Sequence, residues 1–501
     1  MLLKLSVCSL LLTLVTGRIS QFSVCISLTE PCTAGETPWN DVAHVDAAVA
    51  EAPALSSLAS SDFTTLWHPE LPRYGVRIKK SHFCDCSVNA YTGYIDVEAR
   101  HLFFYFFESR RDPSADDVVF WTNGGPGGAS SLGLFTELGP CILENSTATK
   151  YNPYSWNEYA NVFFIEQPVG VGFSYADHGE SVDTTEEAAK DIAAFVAIFF
   201  NHFTEYKGRA LHLAGESYGG RYLPLFAAEI YDQNTKIEAL GMDPVNLSSI
   251  MIGNGCTDQS TMIPSYYDME CTGVTVDPVL DIGTCVSIKR ALPRCKKWLE
   301  SECFTRLDGI NCRAALSFCE EVVMSPFMEA GGSAASPRRP LISIAPHDAC
   351  MVCSSLEAYL NLPAVRQVLG IDPSFGNYSS VSMAVNSAFE AKLDHIFPTQ
   401  LYLTALLERG VRVLLYVGAN DWVCNWVGNE RMSLAMQWTG QGEFVQQPLA
   451  EWTVGGRVAG LTRSAKGLTF ATVYGAGHMV PADKPAESLE LVSRWLSRQG
   501  L

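Results

Sequence analysis

The chain has 501 residues, 47% of them hydrophobic, and a formal net charge of −19 with a pI near 5.0. That much apolar material can build a large core, and length alone allows one large domain or two or three smaller ones. No run or stripe of Lys and Arg stands out, which argues against a nucleic-acid partner, because phosphate binding needs clustered cations.

The first residues read as a signal peptide. Lys4 precedes an apolar run from Leu5 to Val15, and Val15 and Gly17 are small enough to flank a cleavage site, so 1–17 is expected to be removed. The run is too short to span a bilayer, and no other long uncharged apolar stretch follows, so no membrane span is expected. The last residues carry no retention signal and no tail anchor. Residues 18–75 lack strong periodicity and are Ala- and Ser-rich from Ala47 to Ser61, which suits a propeptide or N-terminal arm.

From Cys84 the pattern changes. Tyr91–Val97 and Leu102–Phe107 read as a strand pair. Then come short apolar runs: Val118–Trp121, Val162–Ile165, Leu211–Ala214, Ile250–Ile252, Val411–Val417 and Leu468–Val473. They lack polar alternation, as strands buried on both faces do. Glu186–Phe203, between two of them, reads as an amphipathic helix. Strand and helix in alternation predict an α/β fold with a mostly parallel sheet. The rhythm breaks between 255 and 394. The expected organisation is a core domain in two parts, 76–254 and 395–501, with a cap inserted at 255–394.

Sixteen cysteines are present, and nine lie between Cys256 and Cys353. Such clustering reads as a disulfide-stapled insertion in an oxidising compartment. Cys350-Met-Val-Cys353 has CxxC spacing but no second ligand pair, so no metal is expected. Sequons at Asn145, Asn246 and Asn377 suit the same compartment. Gly331-Gly-Ser-Ala-Ala-Ser-Pro-Arg-Arg-Pro340 reads as a loop whose dibasic pair, Arg338-Arg339, invites proteolytic nicking.

Gly215-Glu-Ser217-Tyr-Gly219 matches G-x-S-x-G after an apolar strand and before a helical pattern, Arg221–Tyr231. A sharp strand-to-helix turn of this kind exposes a Ser hydroxyl as a nucleophile. The hydroxyl needs a base, and the base needs an acid to orient it. In this fold class they follow in the order Ser, Asp or Glu, His. Val411–Val417 is followed by Asp421, and Leu468–Val473 by His478, each just past the carboxyl end of a strand. His347 and His395 suit surface or capping roles in the insertion, and His212, inside a strand, suits core packing. Asn123-Gly-Gly-Pro-Gly-Gly128 follows another strand, and its glycines let backbone N–H groups approach a substrate. The expected oxyanion donors are the N–H groups of Gly125 and Tyr218. This chemistry needs no cofactor and no metal.

These motifs, with others, carry a family resemblance. Trp121-Thr-Asn-Gly-Gly-Pro-Gly127, Glu137-Leu-Gly-Pro140, Asn152-Pro-Tyr-Ser-Trp156, Gln167-Pro-Val-Gly-Val-Gly-Phe-Ser-Tyr175, Gly253-Asn-Gly255 and Gly477-His-Met-Val-Pro481 resemble the serine carboxypeptidases. So do Phe106-Phe-Glu-Ser-Arg110 and Asp421-Trp-Val-Cys424-Asn-Trp426. The resemblance runs from about Tyr91 to the C-terminus. It implies an α/β-hydrolase fold and release of C-terminal residues from peptides and proteins through an acyl-enzyme, favouring acidic pH and apolar residues. It implies the triad Ser217, Asp421 and His478, with Asn123, Gly124, Glu137 and Glu216 binding the substrate's terminal carboxylate. It implies an S1 wall of Tyr218, Tyr266, Tyr267, Trp422, Val423 and Cys424, with Cys424 a free thiol, and Met479 in S1′. It implies the pairs Cys271–Cys285, Cys295–Cys319, Cys303–Cys312 and Cys350–Cys353. Cys84, Cys86, Cys141 and Cys256 then remain for two bridges of unknown pairing.

The sequence departs from the family at Gly128, where a Cys usually bonds to a Cys in the insertion; the partner region, 377–386, has none either. That puts the rigidity of the Gly-rich loop in question. Gly219 stands where Ala is common. Two other readings remain: an esterase or acyltransferase on the same scaffold, and an inactive binding protein. Glu137 and Glu216 argue against the first and the complete triad against the second. The compartment is expected to be vacuole- or lysosome-like, or extracellular.

Overall fold

The computed structural model describes residues 54–68, 71–239, 243–330 and 346–501, with only the backbone for 346–352. The signal peptide, most of the 18–75 segment, the loop bearing Arg338-Arg339 and the Cys350 side chain lie outside the described residues.

Fifteen strands are present among the described residues: β1 (Thr64–Trp67), β2 (Tyr74–Ser81), β3 (Ala90–Val97), β4 (Arg100–Phe107), β5 (Val118–Thr122), β6 (Cys141–Asn145), β7 (Ala148–Tyr151), β8 (Asn161–Ile165), β9 (Tyr175–Ala176), β10 (Ala210–Ser217), β11 (Asn246–Gly255), β12 (Arg412–Gly418), β13 (Ala450–Val454), β14 (Arg457–Ala465) and β15 (Leu468–Val473). All but β6 and β7 join one sheet, in the order β1-β2-β3-β4-β8-β5-β10-β11-β12-β15-β14-β13, with β9 against β4. From β8 to β15 the neighbours run parallel. The flanks are antiparallel.

The apolar runs of the sequence are these central strands. β5, β8 and β15 are buried at every position, because helices cover both faces. One such helix, Thr185–His202, begins where the Thr184 side chain accepts the Glu187 N–H, and it buries Ile192, Phe195 and Phe199. Phe106 of β4 stacks on Phe163 of β8 with centroids 4.1 Å apart, and Phe199 closes on both.

Between β11 and β12 the chain turns helical, with helices at Gln259–Cys271, Ile282–Leu299, Gly309–Cys319, Pro346–Leu360, Pro363–Leu369, Met383–Ala391 and Gln400–Glu408. The first three share a small core of their own with Phe327, Trp422 and Cys424. Disulfides Cys271–Cys285, Cys295–Cys319 and Cys303–Cys312 cross it, spanning 14, 24 and 9 residues. Each contributes about 3 kcal/mol on a chain-entropy estimate, which offsets a core too small to hold these helices alone.

Two regions differ from the sequence reading. β1 falls within the 18–75 segment and pairs with β2, so its described end is woven into the sheet. Cys353 is a free, half-buried thiol, so the expected Cys350–Cys353 bond is absent. Both positions lie on the helix Pro346–Leu360, and CxxC spacing alone does not separate a bonded turn from two positions on a helix. Asn145, Asn246 and Asn377 are all exposed. Among the described residues, no helix is long and apolar enough to cross a membrane.

Candidate active site

The site lies along the carboxyl ends of four adjacent parallel strands, β10, β11, β12 and β15. β10 ends at Ser217, whose φ of 59° turns the chain sharply into the helix Gly219–Ala239. A non-glycine residue at positive φ is strained, and this is the turn that lifts a nucleophile out of the sheet. Gly220 makes the turn fit, since a Cβ there would lie 2.4 Å from Thr257 Oγ1. At Gly219 a Cβ would meet nothing closer than 3.7 Å, so the Gly-for-Ala departure leaves the elbow intact.

Asp421 follows β12 and is 2% exposed. Its Oδ2 accepts hydrogen bonds from His478 Nδ1 at 2.8 Å, Asn254 Nδ2 at 2.7 Å and Cys424 N at 3.2 Å. Its Oδ1 accepts the Val423 N–H at 2.9 Å. Burial works against the charge, but His478 and these donors hold the Asp421 carboxyl below its ordinary value. The same bond acts on His478 in reverse: burial disfavours the imidazolium, yet Asp421, aided by Glu137 and Asp483, raises its pKa. The arrangement is that of an orienting acid and a general base.

The loop Asn123–Gly128 follows β5 and packs against the elbow. A Cβ on Gly124 would sit 2.3 Å from Tyr218 N, so only glycine lets the two backbones approach this closely. The question of its rigidity is answered by hydrogen bonds. Gly127 O accepts Ser382 N–H at 2.8 Å, Ser380 O accepts Ala129 N–H at 2.9 Å, and Asn386 Nδ2 donates to Pro126 O at 3.2 Å. Gly128, where the family pattern has a cysteine, forms an antiparallel bridge with Val381 of the 377–386 region.

Asn123 Oδ1 accepts Trp121 Nε1 at 2.8 Å and Gly133 N at 2.9 Å, which fixes its amide with Nδ2 as the donating end. Nδ2 donates to Glu216 Oε1 at 2.9 Å and Glu137 Oε1 at 3.3 Å. The two acids are 5% and 2% exposed. Burial pushes Glu137 up to about 7, against the Asn123 hydrogen bond. Burial and the Glu137 charge push Glu216 well above the usual carboxylate range. The four residues implied to bind a carboxylate thus meet beside Ser217.

Of the implied S1 wall, Tyr266 tilts onto Trp422 with centroids 4.8 Å apart and donates its hydroxyl to Val423 O at 2.8 Å. Phe327 stacks on Trp422 at 4.5 Å. Tyr267 and Met479 are half-buried. Cys424 departs from expectation: it is not a free thiol but is bonded to Cys256. Parallel β11 and β12 bring these residues, 168 apart in sequence, to a Cα–Cα distance of 5.2 Å, well inside disulfide range. Of the other unassigned cysteines, Cys84 pairs with Cys141, and Cys86 is also disulfide-bonded.

Three residues escaped the sequence reading. Asn254, at φ 44°, also donates to Gly477 O at 3.2 Å and accepts Gly418 N–H at 3.1 Å, so it ties together the strand ends before Asp421 and His478. Asp394, fully buried, accepts the Tyr218 hydroxyl at 2.6 Å and Arg221 Nε at 3.2 Å. Glu270 accepts Trp422 Nε1 at 2.9 Å, and burial pushes it up to about 8. Only the Gly253-Asn-Gly255 motif gave a signal; Asp394 and Glu270 lie in the irregular insertion. His212 is a core residue as expected, placed between Ser249 Oγ and Asp117 Oδ2.

A family model described as serine carboxypeptidase matches residues 82–498. Carboxypeptidase Y of Candida albicans is 38% identical over 437 residues, covering 85% of this chain and 77% of that protein. Carboxypeptidase Y homolog A of Aspergillus oryzae is 38% identical over 442 residues, covering 85% and 78%. Among solved structures, a prohormone-processing carboxypeptidase from Saccharomyces cerevisiae, Kex1, is similar with a TM-score of 0.68 at 23% identity, covering 83% of this chain and 92% of that one.

The cysteine assignment is checked by alkylating the denatured, unreduced protein and mapping its peptides. Cys353 is expected to carry the label, whereas Cys424 is expected to stay unlabelled and to be recovered linked to Cys256. A labelled Cys424 would restore the free-thiol reading.

Proposed function

This chain belongs to the serine carboxypeptidase family and is a serine-type carboxypeptidase, and we propose that Ser217, His478 and Asp421 are its triad and that it releases the last residue of peptides and proteins. His478 takes the Ser217 Oγ proton as Oγ attacks the last peptide carbonyl. The N–H groups of Gly125 and Tyr218 hold the oxyanion. His478 then protonates the leaving amine, and the acyl-enzyme is cleaved by water through the same base. Asp421, kept ionised, stabilises the imidazolium at each step. The Asp421–His478 bond and the strained elbow at Ser217 support this reading.

The observation that carries the exopeptidase reading is the buried Asn123, Glu137 and Glu216 cluster. An enzyme that reads a free carboxylate would ordinarily use a cation. Here two acids share one amide donor, and burial keeps protons on them, so they can donate to the substrate's terminal carboxylate. The Gly124 N–H adds a donor. A simple esterase has no use for such a cluster.

The S1 wall of Tyr218, Tyr266, Tyr267, Trp422 and Val423 favours large apolar side chains. Glu270 stands behind Trp422, yet it is held neutral below about 8 and so gives little preference for a cation. The disulfides and the exposed sequon asparagines support a secretory-pathway location, in a vacuole- or lysosome-like compartment or outside the cell.

Ser217→Ala is expected to lower kcat by several orders of magnitude, on the order of 10⁶ in a fully developed triad, while the protein stays folded. More than a few per cent of residual activity at an unchanged circular dichroism spectrum would refute the triad. Blocked dipeptides should show kcat/KM at least about tenfold higher with Phe or Leu at P1 than with Lys or Arg, and the reverse order would overturn the pocket assignment. Peptide KM should rise with pH. Below about 7 Glu137 is protonated and donates to the substrate; above it the lost proton removes a donor and adds a like charge, so KM climbs by up to about tenfold per unit. An ester lacking the terminal carboxylate should escape this rise. If Glu137→Gln combined with Glu216→Gln keeps the same climb, these acids do not read the carboxylate.

A further inference from the structure

The pairing of β11 with β12 ends at Gly253 and Tyr416. The residues that matter for chemistry lie beyond that point, where the sheet no longer fixes one strand end against the other. Two ties join these strand ends directly, beside the Tyr266–Val423 and Glu270–Trp422 hydrogen bonds from the helix after β11. One is the Asn254 side chain, already described. The other is the Cys256–Cys424 disulfide.

Each half of this disulfide holds a different part of the triad. The Cys256 N–H donates to Ser217 O at 3.0 Å, so Cys256 is fastened to the backbone of the nucleophile. The Cys424 N–H donates to Asp421 Oδ2 at 3.2 Å, on the same oxygen that accepts His478. Cys424 is fully buried, and its Sγ, an Asp421 carboxylate oxygen and a His478 ring nitrogen all lie within 4.8 Å of one another. The covalent bond therefore runs from the carrier of Ser217 to the cradle of Asp421. Its sulfur also packs against the carboxylate–imidazole pair.

We propose that the Cys256–Cys424 disulfide is a positioning element of the triad, locking the Asp421 loop to the nucleophile's strand end. The proposal rests on the triad reading above. Its physical basis is tolerance. A catalytic constellation has to be held to about 0.5 Å, and displacements near 1 Å cost on the order of 100-fold in rate. Without the bond, the segment from Gly418 to Asn425 keeps the Asn254 side chain to β11 and the Tyr266–Val423 and Glu270–Trp422 hydrogen bonds to the helix after it, none of which is made to Cys424. The backbone donors at Val423 and Cys424 would then drift together with the carboxylate they orient. The Asn123, Glu137 and Glu216 cluster hangs on β5, β10 and the helical turn Leu134–Leu138 instead, so substrate binding should be spared.

The test uses the mature, disulfide-intact protein and two double variants, Cys256→Ser with Cys424→Ser, and Cys256→Val with Cys424→Ala, the second keeping the site apolar. Active sites are counted with a fluorophosphonate, so that misfolded molecules drop out of the rate. Turnover is measured on blocked dipeptides with Phe or Ala at P1. Turnover per titrated site is expected to fall about tenfold to 100-fold in both variants. The fall should be equal for the two substrates, with KM changed less than about twofold. Unchanged turnover per site would overturn the proposal. So would a loss confined to the Phe substrate, which would make the disulfide pocket wall only. If neither variant folds, the native protein is reduced stepwise with a phosphine and the bonds are mapped by differential alkylation. Turnover should then fall in step with the Cys256–Cys424 bond, and loss that follows another bond instead would overturn the proposal. Failure of the native protein to take up fluorophosphonate would strike the triad reading itself, a result distinct from all of these.

Discussion

The structure turns on one buried carboxylate. Asp421 accepts four N–H donors drawn from three separate pieces of chain: the end of β11, its own loop, and the loop after β15. Those donors exist only if β11, β12 and β15 lie side by side and end at the same level. The parallel sheet, with its layers of Phe and its covering helices, supplies that alignment. The imidazole takes its orientation from the carboxylate, and the carboxylate takes its own from the sheet.

A pair of acids close by, Glu137 and Glu216, receives the opposite treatment. Asp421 is as buried as Glu137, but it has donors on both oxygens and stays charged. Glu137 and Glu216 divide a single amide between them and hold protons instead. Burial alone would raise all three; the His478 imidazole beside Asp421, against a second acid beside Glu216, decides which carboxyl ionises. The opposite titration of two neighbouring sets of carboxyls follows from what each faces, an imidazole in one case and another carboxyl in the other.

Much of this was legible in the sequence, for identifiable reasons. Strands buried on both faces leave unbroken apolar runs, so the six central strands could be read, with ends off by a few residues. The nucleophile elbow and the order Ser217, Asp421, His478 are local or ordinal features. The antiparallel flanks were harder. β13 and β14 mix exposed and buried positions in short stretches, and β1 sits in an otherwise aperiodic arm. Ties across strand ends left almost no trace: Asn254 stands 167 residues from the carboxylate it serves, and Cys256 lies 168 residues from Cys424. The family resemblance suggested the short-range disulfides correctly but misled at Cys424, because Cys256 supplies a partner. It misled again at Cys353, where CxxC spacing falls on a helix.

The Gly-rich loop and the Asp421 loop are fastened in chemically different ways. The first is pinned to the 380–382 segment by amide–carbonyl bonds, in place of the covalent link of its family. The second is pinned by a sulfur–sulfur bond. The two ties therefore have different chemical requirements. The first needs only that the two segments meet, whereas the second also needs an oxidant to take up two electrons. A reduced molecule would keep the first tie and lack the second.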